Sequence, residues 1–452
     1  MTVHALDATG ALRPALGPAV LGALPPAGSV VALAIANPAS LAEAFVTVVT
    51  AGCVPLLLPP TLPGRAQRET ARRAGAAALL HADAGHDVAV EALDGALSLM
   101  LRGYLACTSG TTGGEPTLYA FTLEQAEANA RAHLESLGAT GARRLVLPMP
   151  LAHSFGLVAG LLAARALGAE LFAFEDTPSP TALLRVVSEQ RADVLYLTPP
   201  LMRLLLKRGR QRPAGAEGAP TVVSVGAGPV DRDELRALVA AFPRSRVTFT
   251  YGLTELGPRV ATLVAGEQGQ ALLAPGAGRA TLGEPLQGVS WQVREERLFV
   301  RSPYAAVGRL VDGALQPLPA TDGYVDTRDG ARVVGDSVEV LGRADGTVVR
   351  GGTNVYPEDV EAVALRDEAV TAACCIARPS VMYGEVPVLY CESTDDETAL
   401  RQRLEARFAA ELRPVERPVE LKVARELPRS SLGKVLRAAL REQDASAPGS
   451  GT

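Results

Sequence analysis

The chain has 452 residues, of which 48% are hydrophobic, and its formal net charge is −5. The length predicts two or three domains with a large core, and the charge argues against nucleic acid or an anionic membrane as a partner. Five cysteines without a CxxC pair, and five histidines of which none is spaced with a cysteine for metal binding, favour reduced thiols in the cytoplasm and argue against a zinc site.

The predicted elements of the first 250 residues are short apolar strands that alternate with amphipathic helices. Residues 1–14 lack a basic segment followed by an apolar core, so we expect no signal peptide. Prolines and polar residues interrupt the most apolar region, 29–61, which predicts a buried core and not a membrane span. The strands are predicted at 29–36, 145–150, 193–200, 221–228 and 246–252, and the helices at 38–52, 201–209 and 231–242. Strands separated by helices predict parallel sheets covered on both faces.

The pattern changes near residue 280. Residues 291–303 and 330–350 alternate apolar and polar positions between turn signals, which predicts antiparallel hairpins. Residues 357–412 then predict a helix, two strands and a second helix, and this α+β segment is long enough for a separate domain. We expect the glycine-containing end of the chain, 446–452, to be disordered.

Residues 106–117 read ACTSGTTGGEPT and follow a predicted buried strand. Glycines let a backbone approach a ligand closely, and successive backbone N–H groups in such a loop bind anions. Two common phosphate loops are excluded: Glu115 stands where GxxxxGK[ST] requires lysine, and Gly110, Gly113 and Gly114 are not spaced as in GxGxxG. The residues alone leave two alternatives open, a phosphate loop of another kind and a flexible turn.

Seven short segments in a fixed order resemble the adenylate-forming superfamily, which includes acyl-CoA and aryl-CoA synthetases, nonribosomal peptide adenylation domains and luciferases. TSGTTGGEPT resembles that family's phosphate loop, YGLTELGP its YGxTE motif, and DGYVDTRDG its ribose motif. The other four segments are PLAHSFGL, VGAGPVDRDEL, GRADGTVVRGGTNVYPEDVE and LPRSSLGKVLR. The resemblance as a whole runs from about residue 28 to residue 437. Two positions depart from the family pattern: Thr117 stands in the place of a lysine, and Arg328 in the place of a glycine.

The resemblance implies an α/β fold with a large N-terminal domain of parallel-rich sheets covered by helices, a small β-barrel-like subdomain, and a small mobile α+β C-terminal domain. The implied domains are 1–342 and 343–445, followed by the tail at 446–452. The implied activity is that of an ATP- and Mg²⁺-dependent ligase, which forms an acyl- or aryl-adenylate from a small carboxylic acid and passes the acyl group to a thiol. We expect coenzyme A as the acceptor, the phosphopantetheine of an acyl carrier protein as its alternative, and a monomer or homodimer.

The family motifs also imply roles for particular residues. Lys434 would supply positive charge, because the carboxylate and the α-phosphate repel each other by about 4 kcal/mol per unit charge at about 4 Å and an effective ε of about 20. Glu255 would bind Mg²⁺, Thr254 the phosphate, and Tyr251 the adenine ring. The structural alternatives are a surface lysine for Lys434 and a helix N-terminal acid for Glu255. The remaining implied nucleotide-binding positions are Thr108, Ser109, Gly110, Thr111, Thr112, Gly113, Gly226, Ala227, Gly252, Asp329 and Arg343.

The C-terminal motifs imply a rotating domain. Asp345 is the expected hinge, since the polar residue is followed by a glycine that absorbs large backbone changes. Gly351 and Gly352 are expected to line the tunnel for the thiol, with an ordinary glycine-rich hairpin as the alternative. By the same resemblance His153 and Phe155 border the acyl pocket, although His153 is equally typical of a core histidine.

The ribose-binding residues have structural alternatives too. Asp329 would accept the ribose hydroxyls, but Asp329 followed by Gly330 is also a strong hairpin-turn signal, and Asp326 is the second candidate for this role. Arg343 would reach the ribose or the α-phosphate, and its alternative is a surface ion pair with Glu339.

Two rival functions remain open on the sequence. One is a nucleotide-binding protein that kept the fold and lost the chemistry, which Thr117 and Arg328 favour; the other is an enzyme that passes the acyl group to an amine. The small residues near the pocket motifs suit a short aliphatic or a small aromatic acid. We expect the adjacent pair Cys374 and Cys375 to pack in the core and not to act as redox groups.

Overall fold

The computed structural model describes residues 1–13, 24–60, 62–82, 88–108, 116–207, 219–266, 279–343, 346–351, 353–429 and 435–446. The chain divides into two compact units. The first unit comprises Met1–Gly276, Leu282–Trp291 and Val300–Val325, and the second comprises Ala277–Thr281, Gln292–Phe299 and Asp326–Thr452. The boundary at 342 and 343 inferred from the motifs stays a prediction.

The first unit contains a sheet of nine strands within the described residues. In spatial order these are β15 (Glu284–Pro285), β14 (Ala261–Ala265), β13 (Arg246–Tyr251), β12 (Val222–Gly226), β11 (Val194–Leu197), β9 (Arg144–Leu147), β10 (Glu170–Phe174), β1 (Thr2–Leu6) and β2 (Leu12–Arg13). The strands from β13 to β1 are parallel, and β15, β14 and β2 are antiparallel additions at the two edges.

A second sheet of the first unit has eight strands in the described ranges. In order these are β19 (Ala314–Gln316), β18 (Gly308–Val311), β8 (Thr117–Thr122), β7 (Gly103–Thr108), β4 (Val54–Leu57), β3 (Val30–Ala34), β5 (Ala78–Ala82) and β6 (Val88–Ala92). The four central strands β7, β4, β3 and β5 are parallel. Every residue of β3 and β4 is buried, which explains why the sequence shows unbroken apolar runs there.

Helices surround these sheets, and local signals set their ends. The helices of the first unit are α1 (Pro38–Thr50), α2 (Gly64–Arg73), α3 (Leu123–Leu137), α4 (Ala163–Leu167), α5 (Pro180–Glu189), α6 (Pro199–Lys207) and α7 (Arg232–Ala241). Helix α1 begins after Asn37, whose side chain accepts a hydrogen bond from the Ser40 N–H. Helix α3 begins with a capping box between Thr122 and Gln125 and ends at Gly138, whose φ of 68° suits glycine.

Further strands occupy residues 290–343, where the alternating pattern predicts antiparallel hairpins. These strands are β16 (Ser290–Arg294), β17 (Arg297–Arg301), β20 (Ala320–Thr321), β21 (Tyr324–Val334) and β22 (Ser337–Arg343). In the second unit β21 and β22 pair antiparallel, as the alternating pattern predicts, with an irregularity between Gly330 and Ala331.

The rest of the second unit is a small α+β body. Its sheet contains β23 (Val348–Arg350), β24 (Thr353–Val355), β25 (Ala372–Ser380), β26 (Gly384–Glu392) and β27 (Glu420–Ala424), and its helices are α8 (Pro357–Leu365), α9 (Glu397–Glu411) and α10 (Arg437–Ser446). Cys374 and Cys375 are buried in this core, as expected. Burial raises the pKa of the Cys374 thiol to about 12, so the thiol is unreactive near neutral pH.

The mixed α/β architecture with a smaller C-terminal unit confirms the predicted fold class. Of the described helices, none is both long and apolar enough to cross a bilayer.

Candidate active site

Three predicted site segments lie at the carboxyl ends of parallel strands in one sheet of the first unit. Residues 148–155 follow β9, 226–228 follow β12, and 252–257 follow β13, so all three lie at the carboxyl edge of one sheet, where open α/β sheets bind ligands. The side chains meet there: the hydroxyl oxygens of Ser154 and Thr254 are 2.8 Å apart. A Cβ atom placed on Gly226 would lie 3.6 Å from Cζ of Phe155. The fold therefore brings Phe155, Gly226 and Thr254 into one place.

The segment after β13 is a closed loop that presents Thr254 and Glu255. A 3₁₀ turn spans Thr254–Leu256, and the Val260 N–H donates to the Tyr251 carbonyl at 3.0 Å, which ties the two ends of the loop together. The Ala306 N–H donates to the Glu255 carbonyl at 2.9 Å and holds the turn from outside. The loop backbone is thus fixed while the Glu255 side chain is only half-buried.

Glu255 lies in the first turn of a three-residue 3₁₀ helix and not at the start of an α-helix. Within the described ranges no three carboxylate, histidine or cysteine side chains cluster as a preformed metal site. A single carboxylate nevertheless fits Mg²⁺ held by a nucleotide, because this ion takes one or two protein carboxylates and completes its shell with phosphate oxygens and water.

The backbone at Ala227 is in the left-handed region, with a φ of 69°. This conformation is uncommon for a residue with a Cβ atom, and such strain concentrates at ligand-binding sites. Ala227 directly follows Gly226, the last residue of β12, and the motif assigns both residues to the adenine side. The observed conformation is consistent with that assignment.

The predicted acyl-pocket residues precede an unusual helix. A π-helix spans Gly156–Leu162, directly after Phe155, and π-helices are rare and frequent at functional sites. Phe155 is 5% exposed, and its ring packs edge-on against Tyr196 with 5.8 Å between the ring centroids. The guanidinium carbon of Arg259 lies 3.3 Å from the Phe155 ring centroid. His153 is half-buried two residues earlier, which fits both a pocket position and a core histidine.

Sequence reasoning missed Ser154, Asn129 and Arg259. Ser154 lies between His153 and Phe155, which were both predicted to border the acyl pocket. Arg259 directly follows the YGLTELGP motif, and the available signal was a lone arginine before the apolar run VATLVA. Asn129, on α3, has no local signal because its partner is 130 residues away: its side chain donates to the Arg259 carbonyl at 2.7 Å and accepts from the Arg259 N–H at 3.2 Å.

The predicted ribose pair lies in the second unit. Asp329 and Arg343 face each other across β21 and β22, and a guanidinium nitrogen of Arg343 is 3.4 Å from a carboxylate oxygen of Asp329. The same nitrogen donates to the Thr327 carbonyl at 3.1 Å. Asp329 is 5% exposed, and Asp329 and Gly330 are inside a strand of eleven residues, so the hairpin-turn alternative is wrong.

The charged residues near the ribose pair have partners of their own. Glu339 faces Arg332 across the strands and accepts a hydrogen bond from its Nε at 2.8 Å, whereas Arg343, whose alternative was an ion pair with Glu339, faces Asp329. Asp326, the second ribose candidate, pairs with Arg297. Arg328, which stands where the motif has glycine, has a φ of 59° and an exposed side chain. The strand thus keeps a glycine-like backbone at a position that carries an arginine.

Residues on both sides of the Lys434 segment are tied together. The Leu436 N–H donates to the Pro428 carbonyl at 2.7 Å, and Arg429 and Val435 form an antiparallel bridge. Helix α10 starts immediately afterwards with Arg437, whose guanidinium donates to Glu361 at 2.6 Å. The base of the segment is therefore held on both flanks.

The remaining predicted residues are only partly described. Thr108 ends β7 and its hydroxyl donates to the Thr117 carbonyl at 3.3 Å. Gly351 lies in the exposed turn between β23 and β24, so the segment forms the glycine-rich hairpin, and its part in a thiol tunnel stays a prediction. Lys434, Asp345, Gly352 and the loop residues Ser109, Gly110, Thr111, Thr112 and Gly113 lie outside the described residues.

Two segments of the chain match known protein families. Residues 103–311 match the AMP-binding enzyme family, and residues 359–434 match the AMP-binding enzyme C-terminal domain. The acyl-CoA ligase SID4 of Ajellomyces capsulatus is 28% identical over 295 residues, which are 62% of this chain and 50% of that protein. The chain thus spans about half the length of this relative. The 2-succinylbenzoate–CoA ligase of Enterococcus faecalis is 27% identical over 341 residues, 73% of this chain and 67% of that protein.

A solved structure gives the same fold. The o-succinylbenzoate CoA synthetase of Bacillus subtilis, in complex with an acyl-adenylate intermediate, superposes with a TM-score of 0.78 at 21% identity and covers 92% of this chain and 88% of that chain. The ordered motifs, three of which lie at one sheet edge, and both family matches lead to one conclusion. The chain belongs to the adenylate-forming family of AMP-binding enzymes.

Proposed function

We propose that this protein is an AMP-forming acid–thiol ligase. It transfers the AMP moiety of ATP to a small carboxylic acid with release of pyrophosphate, and then transfers the acyl group to coenzyme A with release of AMP. The observation that carries the proposal is the convergence of Phe155, Gly226 and Thr254 at one carboxyl edge of the nine-stranded sheet. Fold alone does not give function, but this edge joins the predicted acyl side to the predicted nucleotide side.

The first step requires positive charge and fixed donors. The hydroxyls of Ser154 and Thr254 bond to each other at 2.8 Å, so one O–H remains to donate to a phosphate oxygen. Mg²⁺ held at Glu255 would neutralise part of the phosphate charge. Lys434 would supply a second positive charge to the attacking carboxylate and the α-phosphate.

The chain contains few lysines, which supports a functional role for Lys434. The sequence has three lysines, Lys207, Lys422 and Lys434, among 44 basic residues. Lys422 is 2.7 Å from a carboxylate oxygen of Asp444, within the core of the second unit, and Lys207 is exposed at the end of α6. A compact, rotatable ammonium group suits a charge that must reach a reacting oxygen, whereas the planar guanidinium suits fixed pairs.

Asp329 would accept the ribose hydroxyls. Asp329 is held between strands with its carboxylate against Arg343, an arrangement that leaves a fixed acceptor for ribose hydroxyls. For the second step we propose the rotation at Asp345 and the passage of the thiol along Gly351 and Gly352. Coenzyme A is the proposed acceptor, a carrier-protein phosphopantetheine is the alternative, and the assembly is proposed as a monomer or homodimer. The five cysteines are free thiols, which favours the cytoplasm.

Acid-dependent exchange of pyrophosphate into ATP tests the first step. Exchange should require a carboxylic acid and Mg²⁺, and Lys434→Ala should reduce it by at least about 100-fold, the usual scale for removing a charge that stabilises the transition state. Lys207→Ala, at an exposed helix end, is the matched control. Normal exchange in the Lys434 variant would remove this residue from the mechanism.

The rival without chemistry is tested separately. If ATP raises the thermal unfolding midpoint but no acid supports exchange, the protein binds nucleotide without forming adenylates. Product analysis with coenzyme A, a carrier protein and simple amines then distinguishes the three acceptors.

A further inference from the structure

The guanidinium of Arg259 is buried without a counter-charge among the described residues. Arg259 is 1% exposed, and its Nε and Nη2 atoms have no hydrogen-bond partner in the part of the chain that the structure describes. Burial lowers the pKa of Arg259 to about 9, which still leaves the group positively charged near neutral pH. Buried charges in proteins are ordinarily paired, because the loss of hydration is costly without a partner.

Polar side chains near Arg259 also have no hydrogen-bond partners among the described residues. The Phe155 ring connects Arg259 to Tyr196, and the Tyr196 ring stacks on His133 with centroids 6.0 Å apart. The hydroxyl of Tyr196 and both ring nitrogens of His133 are buried and have no partner among the described residues. Burial and the Arg259 charge hold the pKa of His133 well below its usual range, so this ring is neutral and offers one N–H. Among the described residues, the cluster has no anionic acceptor for the guanidinium.

The position of Arg259 is rigid and borders the proposed site. Both polar groups of the Asn129 side chain bond to the backbone of Arg259, and Asn129 is itself fully buried. A Cβ atom on Gly226 would lie 2.9 Å from Nη1 of Arg259, so the guanidinium packs directly against this glycine at the end of the predicted adenine strand. The charge therefore lies between Phe155, assigned to the acyl group, and Gly226, assigned to the nucleotide.

We propose that Arg259 binds a second carboxylate on the acid substrate, so that the protein activates one end of a dicarboxylic acid and holds the other. This inference rests on the proposed ligase function. A carboxylate accepts two parallel N–H bonds from a guanidinium, which would satisfy the two unpartnered nitrogens together. The Tyr196 hydroxyl and the His133 N–H supply further donors to the same oxygen-rich group.

Pairs of acids test the proposal on the unchanged protein. Pyrophosphate exchange is measured with succinate, glutarate, adipate and phthalate, each against its monoamide, which has nearly the same shape and no second charge. We expect at least one dicarboxylate to exceed its monoamide in kcat/KM by about 100-fold or more, since a site built around a polar group rejects analogues that lack it. Arg259→Met should reduce that ratio to within about threefold, and Arg246→Met, on an exposed strand end, should leave it unchanged.

Binding provides a second readout if Arg259→Met loses stability. Calorimetric titration of the unchanged protein with a non-hydrolysable ATP analogue should show tighter binding in the presence of the preferred dicarboxylate than of its monoamide. Equal kcat/KM for every pair, or a preference for the monoamides, would overturn the inference and leave the ligase function intact. Absence of exchange with every acid, mono- or dicarboxylic, would instead reject the proposed function and this inference with it.

Discussion

Gly252→Ala should disrupt the loop that presents Thr254 and Glu255. A Cβ atom at Gly252 would lie 1.9 Å from the Pro258 carbonyl oxygen and 2.5 Å from its carbon. An ordinary carbon–oxygen contact is about 3.3 Å, so the two backbone segments must separate by about 1.4 Å. The contact is between backbone atoms, and the hydrogen bond from Val260 to Tyr251 closes the loop beside it, so no side-chain rotation relieves the clash.

The clash should affect both stability and rate. Forcing an extra methyl into a packed site costs about 1–3 kcal/mol of unfolding free energy, which lowers the thermal midpoint by a few degrees. A displacement of about 1 Å in a residue that positions reactants costs about 100-fold in rate. We therefore expect kcat/KM for ATP in the exchange assay to fall by about 100-fold in Gly252→Ala while most of the protein remains folded.

Thermal unfolding and exchange kinetics together check this prediction. Gly141→Ala is the matched control, because a Cβ atom there meets no heavy atom within 4 Å and the φ is ordinary. If Gly252→Ala and Gly141→Ala have the same unfolding midpoint and exchange rate, the loop is not closed tightly at Gly252 and does not position Thr254 and Glu255.

Three further substitutions test other parts of the structure. Asp329→Asn should lower kcat/KM for ATP by about 10- to 100-fold, since a hydrogen bond to a charged group contributes about 1.5–3 kcal/mol. Asp326→Asn is the control and should change kcat/KM by less than about threefold. Equal effects of the two substitutions would contradict the ribose assignment. Arg328→Gly should raise the thermal unfolding midpoint by about 2 °C. The left-handed backbone of Arg328 costs the folded state about 1–2 kcal/mol, and the greater freedom of glycine in the unfolded chain offsets part of the gain. An unchanged midpoint would mean that the backbone at Arg328 is not strained. Arg437→Met leaves the buried Glu361 carboxylate without its cation and should destabilise the protein by about 3–5 kcal/mol. Burial raises the pKa of Glu361, so the loss of stability in Arg437→Met should grow as pH rises through that pKa and the carboxyl ionises. Thermal unfolding at mildly acidic and mildly alkaline pH checks this, and equal losses at the two pH values would contradict the expected direction.

Much of the fold is predictable from local sequence. The apolar run at 193–200 predicts a buried strand, which is β11, and the pattern at 38–52 predicts a helix, which is α1 with a polar cap before it and a proline at its start. These features depend on side-chain periodicity and on hydrogen bonds between residues three or four apart, so neighbouring residues alone specify them.

The candidate site was only partly predictable. Thr254 and Asp329 were found through motifs, but the interpretation of Asp329 before Gly330 was ambiguous because the same dipeptide suits a turn. Only the register of β21 against β22 decides it, by placing Asp329 opposite Arg343 in mid-strand. Register depends on the pairing of whole strands, which a dipeptide does not encode.

By itself the sequence determined the family, the alternation of strands and helices, and the residue types that handle a nucleotide. Tertiary structure alone decided that Ser154 meets Thr254, that Asn129 clamps the backbone of Arg259, and that the Arg259 charge is buried without a partner among the described residues. The physical reason is distance along the chain. Contacts across 100 or 130 residues arise when the sheet aligns its strand ends, and whether a charge is hydrated or buried depends on everything packed around it.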